Sequence, residues 1–250
     1  YAIPEEEFVV LDEQRYQTSQ EIGRGGMGIV YRVYDSLLKR HLAMKEISSK
    51  MKDRPESRAR FLTEAQTMAS LQHPSIISVH DLGITKEGKL FFLMDQVEGK
   101  TMTTYIRRLH EASSLLEWTQ EQWGFRRIIE SFYRVCETIA YVHEKGFVHL
   151  DIKPCNIQFG QRGEVWVLDW GVARKAHGED EKIWCSPFYT APERAQGKRT
   201  FPADVYALGA ILYHILVGQP PFHGVPLESI FTKLYEGEIP LVTAQDRHQR

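Results

Sequence analysis

Short runs of β-branched and aromatic residues dominate the first part of the chain and predict a series of β-strands. The runs cover residues 29–35, 41–47, 77–82 and 89–94. Residue types of this kind fit a pleated, half-buried surface. A turn at residues 86–88, which includes a glycine, separates the last two runs. We therefore expect antiparallel strands here.

A helical period of apolar residues replaces the strand pattern in other segments. Residues 56–71 follow Pro55, which suits the first turn of a helix, and have apolar side chains at intervals of three and four. Residues 128–139 have the same spacing, and a further helix is expected within 101–126. Residues 204–218 are apolar on every side, which predicts a buried helix.

Composition excludes several classes of protein. The net charge is −2 over 250 residues, without the clustered basic excess expected of a nucleic-acid-binding protein. Cys136, Cys155 and Cys185 have no C-x-x-C spacing, which argues against a disulfide framework or a zinc site. The longest apolar run, 206–218, is too short to span a bilayer, and the first residues are acidic where a signal peptide is basic. We expect a cytoplasmic domain without a membrane segment in this stretch; a longer parent protein with a membrane anchor stays compatible with this pattern.

The first fifteen residues form an acidic extension around an apolar patch at residues 8–11. Its acidic residues are Glu5, Glu6, Glu7, Asp12 and Glu13. The pattern favours an extra strand or an ordered tail over a docking or autoinhibitory segment.

Gly23, Gly25 and Gly28 form a G-x-G-x-x-G pattern, which several nucleotide-binding folds share. Residues 29–35 read as a strand, so these glycines turn a hairpin and do not begin the helix that a Rossmann unit needs. A Walker loop is also excluded, because no Lys-Ser or Lys-Thr follows Gly28. Glycines here let backbone amides lie close to the phosphates of a nucleotide.

One stretch, FVHLDIKPCNIQFGQRGEVWVLDWG at residues 147–171, concentrates the residues suited to phosphoryl transfer. It contains Asp151, Lys153, Asn156 and Asp169. VHLDIKPCN resembles the catalytic loop of protein kinases, and LDWG resembles their Asp-Phe-Gly metal motif. The resemblance covers residues 16 to about 240, with further motifs in the family's order. GRGGMGIVY and the Trp of LDWG resemble the bacterial, eukaryotic-like (Hanks-type) Ser/Thr kinases.

The resemblance implies an α+β, bilobal protein kinase fold. Residues 16–99 would form a small, mostly antiparallel β lobe with one key helix and the hinge. Residues 100–250 would form a larger, mainly helical lobe that lacks its last helices, which suggests a truncated excerpt. The apolar helix that Asp204 opens would anchor the catalytic loop.

The resemblance also implies the reaction and the role of each catalytic residue. Asp151 orients the acceptor hydroxyl and accepts its proton, and Lys153 neutralises the transferred γ-phosphoryl group. Lys153 favours a Ser or Thr acceptor, because tyrosine kinases do not usually have Lys there. Asn156 and Asp169 bind Mg²⁺, with Mn²⁺ as an alternative. The implied partners are ATP and proteins with Ser or Thr acceptors, not nucleic acid, and dimerisation is left open.

ATP contacts are implied in both lobes. Lys45 holds the α- and β-phosphates and is itself held by Glu64, which lies on the Phe61 and Met68 side of the predicted helix 56–71. Met94 is the gatekeeper, and the backbone of Asp95 and Val97 meets the adenine edge. The complete set is Ile22, Gly23, Gly25, Gly28, Val30, Ala43, Lys45, Glu64, Met94, Asp95, Val97 and Gln158.

Several positions depart from the family pattern. Leu150 replaces the Arg that normally precedes the catalytic Asp, Gln158 replaces an apolar residue beside the adenine, and Trp170 replaces Phe. The late Arg that normally pairs with the position of Glu193, in the motif Ala191-Pro192-Glu193, is missing along with the last helices.

The segment that follows the metal motif lacks the usual phosphate acceptor. Residues 170–185 contain no Ser, Thr or Tyr, and Ser186-Pro187 occupies the substrate-facing position after them. Because Leu150 cannot pair with a phosphate, we expect activity that does not require phosphorylation of this loop. Its acidic residues favour a solvated charge run over fixed pairs with nearby Lys or Arg. They are Glu179, Asp180 and Glu181.

A nucleotide-binding pseudokinase that acts as a scaffold is the alternative to an enzyme. Such proteins typically lack a metal ligand, the phosphate-binding Lys or the catalytic Asp, and all of these are present here. A generic NTPase is disfavoured by the absence of a Walker motif. The sequence therefore favours a Mg-ATP-dependent protein kinase.

Overall fold

The computed structural model describes residues 8–111, 124–180 and 185–238. The chain divides into two compact units, Tyr1–Glu98 and Gly99–Arg250. Part of the range 101–126, where a further helix was expected, lies outside the described residues, as do the acidic residues Glu5, Glu6, Glu7 and Glu181.

The first unit is built on a six-stranded sheet with the strand order β1-β5-β6-β4-β3-β2. Its strands are β1 (Val9–Val10), β2 (Tyr16–Arg24), β3 (Gly28–Asp35), β4 (Arg40–Ile47), β5 (Val79–Ile84) and β6 (Leu90–Asp95). All neighbouring pairs are antiparallel except β1 and β5. The helix α1 (Pro55–Ser70) packs against this sheet, with the rings of Phe61 and Phe92 5.1 Å apart. The sheet and the helix predicted from residue periodicity are confirmed.

The described part of the amino-terminal extension adds a strand to the edge of this sheet. Val9 and Val10 pair in parallel with Gly83 and Ile84. Leu11 follows them into the core, where it is buried with a cluster from the central strands. The extra strand that the sequence favoured is therefore confirmed for this part of the extension.

The second unit is mainly helical. Its helices are α2 (Met102–Glu111), α3 (Phe125–Glu144), α4 (Pro192–Ala195), α5 (Phe201–Val217) and α6 (Leu227–Tyr235). Short strands connect them: β7 (Lys100–Thr101), β8 (Phe147–Val148), β9 (Ile157–Phe159), β10 (Val165–Val167), β11 (Arg174–Lys175), β12 (Gly178–Glu179) and β13 (Lys198–Arg199). A sheet-rich unit followed by a mainly helical one is the α+β organisation expected from the sequence.

Helix α5 is not buried on every side, so that prediction is wrong. Ala207, Ile211 and Ile215 lie on its covered face and are at most 5% exposed. Val205 is 58% exposed and Leu216 39% exposed on another face. The sequence could not show this difference, because apolar residues occupy both faces of the helix.

No helix in the described ranges is long and apolar enough to cross a membrane.

Candidate active site

The glycine-rich segment of the first unit turns the hairpin between β2 and β3, as predicted. Gly23 pairs with Val30, and the Gly25 amide donates a hydrogen bond to the Gly28 carbonyl at 2.9 Å. A Cβ atom on Gly28 would lie 2.4 Å from the Glu46 carbonyl oxygen, so the close approach of β4 requires glycine there. Gly25 and Gly26 have no atom within 4 Å of such a Cβ. The surrounding structure would therefore allow a side chain at Gly25 and Gly26, so steric packing does not explain why glycines occupy the tip of the hairpin.

Lys45 and Glu64 form the ion pair predicted from the sequence. The Lys45 ammonium donates to Glu64 Oε1 at 2.6 Å, and the side chains are 16% and 4% exposed. Lys45 lies on β4, on the same face as the buried Ala43, and Glu64 lies on α1 between Phe61 and Met68. Breaking a buried pair of this kind leaves an uncompensated charge, so the pair fixes α1 against the sheet.

Glu64 has a second carboxylate oxygen that is not satisfied inside the described structure. Its Oε2 atom is buried and makes no hydrogen bond to any described residue. Buried polar atoms normally have a partner. This oxygen is therefore available to a further donor beside the Lys45 ammonium.

The remaining nucleotide-site candidates lie on or beside the same strands, apart from one. Ile22 is 40% exposed on β2, whereas Val30, Met94, Asp95 and Val97 are half-buried. Gln158 belongs to the second unit, where it is half-buried on β9 and pairs with Trp166 and Thr101. Asp95 also accepts a 2.6 Å hydrogen bond from His80, which the sequence did not suggest.

In the second unit, Asp204 fixes the backbone that precedes Asp151. Its carboxylate, 1% exposed at the start of α5, accepts the backbone N–H groups of His149 and Leu150 at 2.8 Å each. It also contacts Nε2 of His143 at 2.8 Å. Leu150 has a φ of 66°, which is rare for a residue with a branched side chain. The anchoring role expected of the helix that Asp204 opens is confirmed, and it holds a strained backbone in place.

Asp151, Lys153 and Asn156 lie together as the sequence predicted. The Lys153 ammonium donates to Asp151 Oδ2 at 2.8 Å. The Asn156 amide nitrogen donates to the Asp151 backbone carbonyl at 2.9 Å and to Oδ2 at 3.2 Å. These bonds occupy one carboxylate oxygen of Asp151 and leave Oδ1 to another partner.

That partner is the Ser186 hydroxyl. It donates to Asp151 Oδ1 at 2.9 Å and accepts from the Lys153 ammonium at 2.9 Å. The sequence placed Ser186 in a substrate-facing position but did not predict this contact, because the two segments are 35 residues apart. The Ser-Pro pair before Ala191-Pro192-Glu193 was the available signal.

Lys153 remains a cation at ordinary pH. Its partial burial opposes the charged form, but the hydrogen bond and the charge of Asp151 outweigh that effect and raise the pKa of Lys153. Asp169 contributes in the same direction. The site therefore offers a fixed positive charge beside a carboxylate.

Asn156 and Asp169 offer oxygen ligands that suit a hard divalent cation. The Asn156 amide nitrogen is used on Asp151, its side-chain oxygen Oδ1 has only a weak contact with the Cys155 thiol at 3.8 Å, and Asp169 is exposed. The Leu168 amide donates to the Asn156 backbone carbonyl at 2.8 Å, and this bond joins the two segments. Among the described residues, no group of three or more His, Cys, Asp or Glu side chains could hold a metal by itself. A Mg²⁺ ion normally takes one or two protein ligands and completes its shell with phosphates and water, so this pair fits.

Trp170 is fully buried behind Asp169. Its indole N–H donates to the Val167 carbonyl at 3.1 Å, and its ring lies 4.6 Å from the ring of His149. Asp169 itself has a φ of 61°. The indole therefore supports the metal motif with a hydrogen bond that a Phe ring could not make.

The segment after Trp170 is held by strand pairing and by apolar contacts. β11 pairs with β8, and β12 pairs with β13. Leu150 packs in an apolar cluster with Val148, Ala191 and Ala203. An apolar side chain thus fills the position of the missing arginine.

The expectation of a solvated charge run is wrong for Asp180. Its carboxylate pairs with the Arg194 guanidinium at 2.6 Å, and the Arg194 side chain is 3% exposed. The partner follows 14 residues later, on a helix beyond Ser186, so local charge pattern could not reveal it. Glu179 is exposed, as expected.

Comparisons with known proteins agree with this geometry. The family model described as the protein kinase domain matches residues 16–248. A curated relative from Chlamydia caviae, named serine/threonine-protein kinase PknD, is 33% identical over 84% of this chain. Proteins with the same name from Chlamydia pneumoniae and Protochlamydia amoebophila are each 34% identical, over 84% and 83% of this chain. The chain spans about a quarter of the length of these curated relatives, 25%, 25% and 23% respectively.

Proposed function

Because this chain belongs to the protein kinase family, we propose that it transfers the γ-phosphoryl group of ATP to Ser and Thr hydroxyls of protein substrates, including hydroxyls of its own chain. The observation that carries the proposal is the contact between the Ser186 hydroxyl, Asp151 and Lys153. In it, a serine hydroxyl already donates to the expected general base. The relatives are named as serine/threonine kinases, which agrees with this acceptor class.

Asp151 serves as the residue that orients the acceptor and receives its proton. Oδ2 is engaged by Lys153 and Asn156, so Oδ1 is the oxygen that faces a hydroxyl. At 2.9 Å a hydroxyl is within the range needed for proton transfer. A substrate hydroxyl that replaced Ser186 at Oδ1 would be positioned in the same way.

Lys153 supplies positive charge to the transferred group. Its raised pKa keeps it protonated, and its ammonium bridges Asp151 and the hydroxyl position at 2.8 and 2.9 Å. Transferred phosphoryl groups carry charge on their equatorial oxygens, which fixed cations stabilise. Lys153 can therefore stabilise this charge without moving far from the base.

Asn156 and Asp169 are the proposed ligands of Mg²⁺, with Mn²⁺ as an alternative. A bound Mg²⁺ would neutralise charge on the phosphates and orient them. The carbonyl oxygen of Asn156 and the carboxylate of Asp169 would hold it. Asp169 has a positive φ and is followed by the fully buried Trp170, and both features constrain the position of the Asp169 side chain.

The first unit supplies the remaining nucleotide contacts, apart from that of Gln158, which belongs to the second unit. Lys45, held by Glu64, would bind the α- and β-phosphates, and the glycines at the tip of the hairpin would let the backbone approach them. The backbone of Asp95 and Val97 would bind the adenine edge, with Met94 beside it. Ile22, Val30, Ala43 and Gln158 would contact the purine.

A pseudokinase scaffold is less well supported. Pseudokinases typically lose one of the polar groups that transfer requires. Here Asp151, Lys153, Asn156 and the Lys45–Glu64 pair are not only present but hydrogen-bonded. These arrangements support the enzyme over the scaffold.

The proposal predicts that Asp169→Asn weakens Mg-dependent nucleotide binding and lowers transfer by orders of magnitude. The variant keeps the shape of the side chain but loses the charge that attracts the cation. Transfer from radiolabelled ATP to casein measures the rate, and titration of ATP with and without Mg²⁺ measures the binding.

Asp53→Asn, at an exposed turn of the first unit, is the matched control and should leave both quantities unchanged. Full transfer by Asp169→Asn would refute the metal assignment. Absence of transfer by the unaltered protein, with ATP still bound, would favour the scaffold.

A further inference from the structure

The segment between the metal motif and Ser186 cannot be ordered by phosphorylation in the usual way. Residues 170–185 contain no Ser, Thr or Tyr. The position before Asp151, where an arginine would receive a phosphate, is Leu150, which is buried among apolar side chains. The segment therefore lacks the usual phosphate acceptor, and Leu150 cannot serve as the usual phosphate receptor.

A different anion–arginine contact is present in the same segment. Asp180 Oδ2 lies 2.6 Å from Nη1 of Arg194, and Asp180 Oδ1 lies 3.8 Å from Nε of Arg199. Arg194 is 3% exposed, whereas ordinary arginines lie at the surface. The Nε atoms of both arginines are buried without a hydrogen bond to any described residue. Two guanidinium groups thus converge on one carboxylate.

The backbone around this contact is closely fitted. The Asp180 amide donates to the Gly197 carbonyl at 2.9 Å. Gly197 has a φ of 89°, and a Cβ atom there would lie 2.7 Å from the Asp180 carbonyl oxygen. Gly178 pairs with Arg199, whose guanidinium occupies the space that a Cβ atom on Gly178 would need. The backbone approach requires glycine at residue 197, whereas a side chain at residue 178 would displace the Arg199 guanidinium, so the contact is a built feature of the fold.

The position of Arg194, and of the segment that it contacts, depends on the charge of the Asp180 carboxylate. A buried guanidinium that loses its partner is strongly destabilising, because the charge stays out of water without compensation. Without the Asp180 charge, Arg194 gains by moving toward solvent. Asp180 directly follows β12 and Arg194 precedes β13 in the chain, so we expect that movement to weaken the pairing of the two strands.

We propose that Asp180, bound by Arg194 and assisted by Arg199, is a permanent internal substitute for an activating phosphate and makes the kinase independent of phosphorylation of this segment. This inference rests on the proposed kinase function and adds the regulation of the same site. Asp180 and Arg194 are positioning residues. We expect them to act on the chemistry through Asp169 and through Ser186, which contacts Asp151 and Lys153, because the residues that they hold lie between Asp169 and Ser186 in the sequence.

Two variants of neighbouring carboxylates test the proposal. Asp180→Asn keeps the size of the side chain and removes its charge. Glu179→Gln, one residue earlier and exposed, is the matched control. We expect Asp180→Asn to lower kcat at least about tenfold, because a buried pair is broken. The KM for ATP should change much less, since neither Asp180 nor Arg194 is among the residues proposed to contact the nucleotide. Glu179→Gln should behave as the unaltered protein.

Amide hydrogen exchange tests the role of the Asp180–Arg194 pair independently of whether the protein transfers phosphate. Amides of residues 171–180 should exchange faster in Asp180→Asn than in Glu179→Gln, whether or not the protein transfers phosphate. Absence of transfer by the unaltered protein would refute the kinase function alone. Unchanged exchange and unchanged kcat in Asp180→Asn would overturn the role of the pair.

A measurement on the unaltered protein covers the case in which Asp180→Asn does not fold. Phosphatase-treated protein should keep its full rate, and mass spectrometry of the active protein should find no phosphate within residues 170–185. The proposal is overturned if phosphatase abolishes activity and substitution of Ser186, Tyr189 or Thr190 reproduces that loss with the fold intact.

Discussion

Single side chains decide how this chain accommodates its departures from the family pattern. Leu150 replaces a charged receptor with an apolar contact, and the backbone at this position is held by Asp204. Trp170 replaces a phenyl ring with an indole that is fully buried and hydrogen-bonded to Val167. In both cases the replacement adds a contact to the region around Asp151 and Asp169.

Trp170→Phe should therefore destabilise the second unit. The change removes the N–H donor to the Val167 carbonyl and leaves unfilled space beside His149, which together cost about 1–3 kcal/mol. The free energy of unfolding, from urea denaturation followed by circular dichroism, measures the effect. Trp166→Phe, at a half-buried position on β10, is the control and should cost less. Equal losses in the two variants would contradict the role given to the indole hydrogen bond.

At the scale of elements, the β2–β3 hairpin is held at its open end by one buried carboxylate. Arg15 forms a two-point contact with Asp35, from Nε to Oδ1 at 3.2 Å and from Nη2 to Oδ2 at 3.0 Å. The amides of Leu37 and Leu38 donate to the same carboxylate. The Arg15 hydrogen bond, which outweighs the effect of burial, and these amides lower the pKa of Asp35 from 3.8 to about 2.

This pKa predicts how the stability of the first unit depends on acidity. Because the folded-state pKa of Asp35 is below its unfolded value, its contribution is complete above about pH 4 and is lost as the pH falls toward 2. Thermal unfolding of the unaltered protein and of Asp35→Asn should therefore differ most near neutral pH and converge between pH 4 and 2.

Asp53→Asn removes an exposed carboxylate and is the control. Its thermal unfolding should stay close to that of the unaltered protein at every pH. A difference between Asp35→Asn and the unaltered protein that stays constant from pH 7 to 2 would show that Asp35 does not act through its charge.

The elements that sequence periodicity could predict are those whose signals are local. The β2–β3 hairpin and α1 follow from glycine spacing, β-branched runs and an apolar stripe, whereas the Lys45–Glu64 pair was expected from the resemblance to protein kinases. The Asp180–Arg194 pair joins segments that no local pattern relates. The exposed face of α5 could not be predicted from the sequence, because apolar residues occupy both the buried face and the exposed face of this helix.

At the scale of the whole molecule, each of the two units contributes a distinct part of the proposed chemistry. The first holds the glycine hairpin and the Lys45–Glu64 pair, which suit phosphate binding. The second holds Asp151, Lys153, Asn156 and Asp169, which suit transfer.

The central claim is that Asp151 is the base of a phosphoryl transfer to protein hydroxyls, and the transfer rate of Asp151→Asn tests it most directly. The Asn side chain has nearly the same size as Asp and stays close to Lys153 and Ser186. Its amide group is a very weak base, so kcat should fall by orders of magnitude. Nucleotide affinity and the unfolding midpoint should stay close to those of the unaltered protein. Undiminished transfer of radiolabelled phosphate to casein by Asp151→Asn would contradict the account.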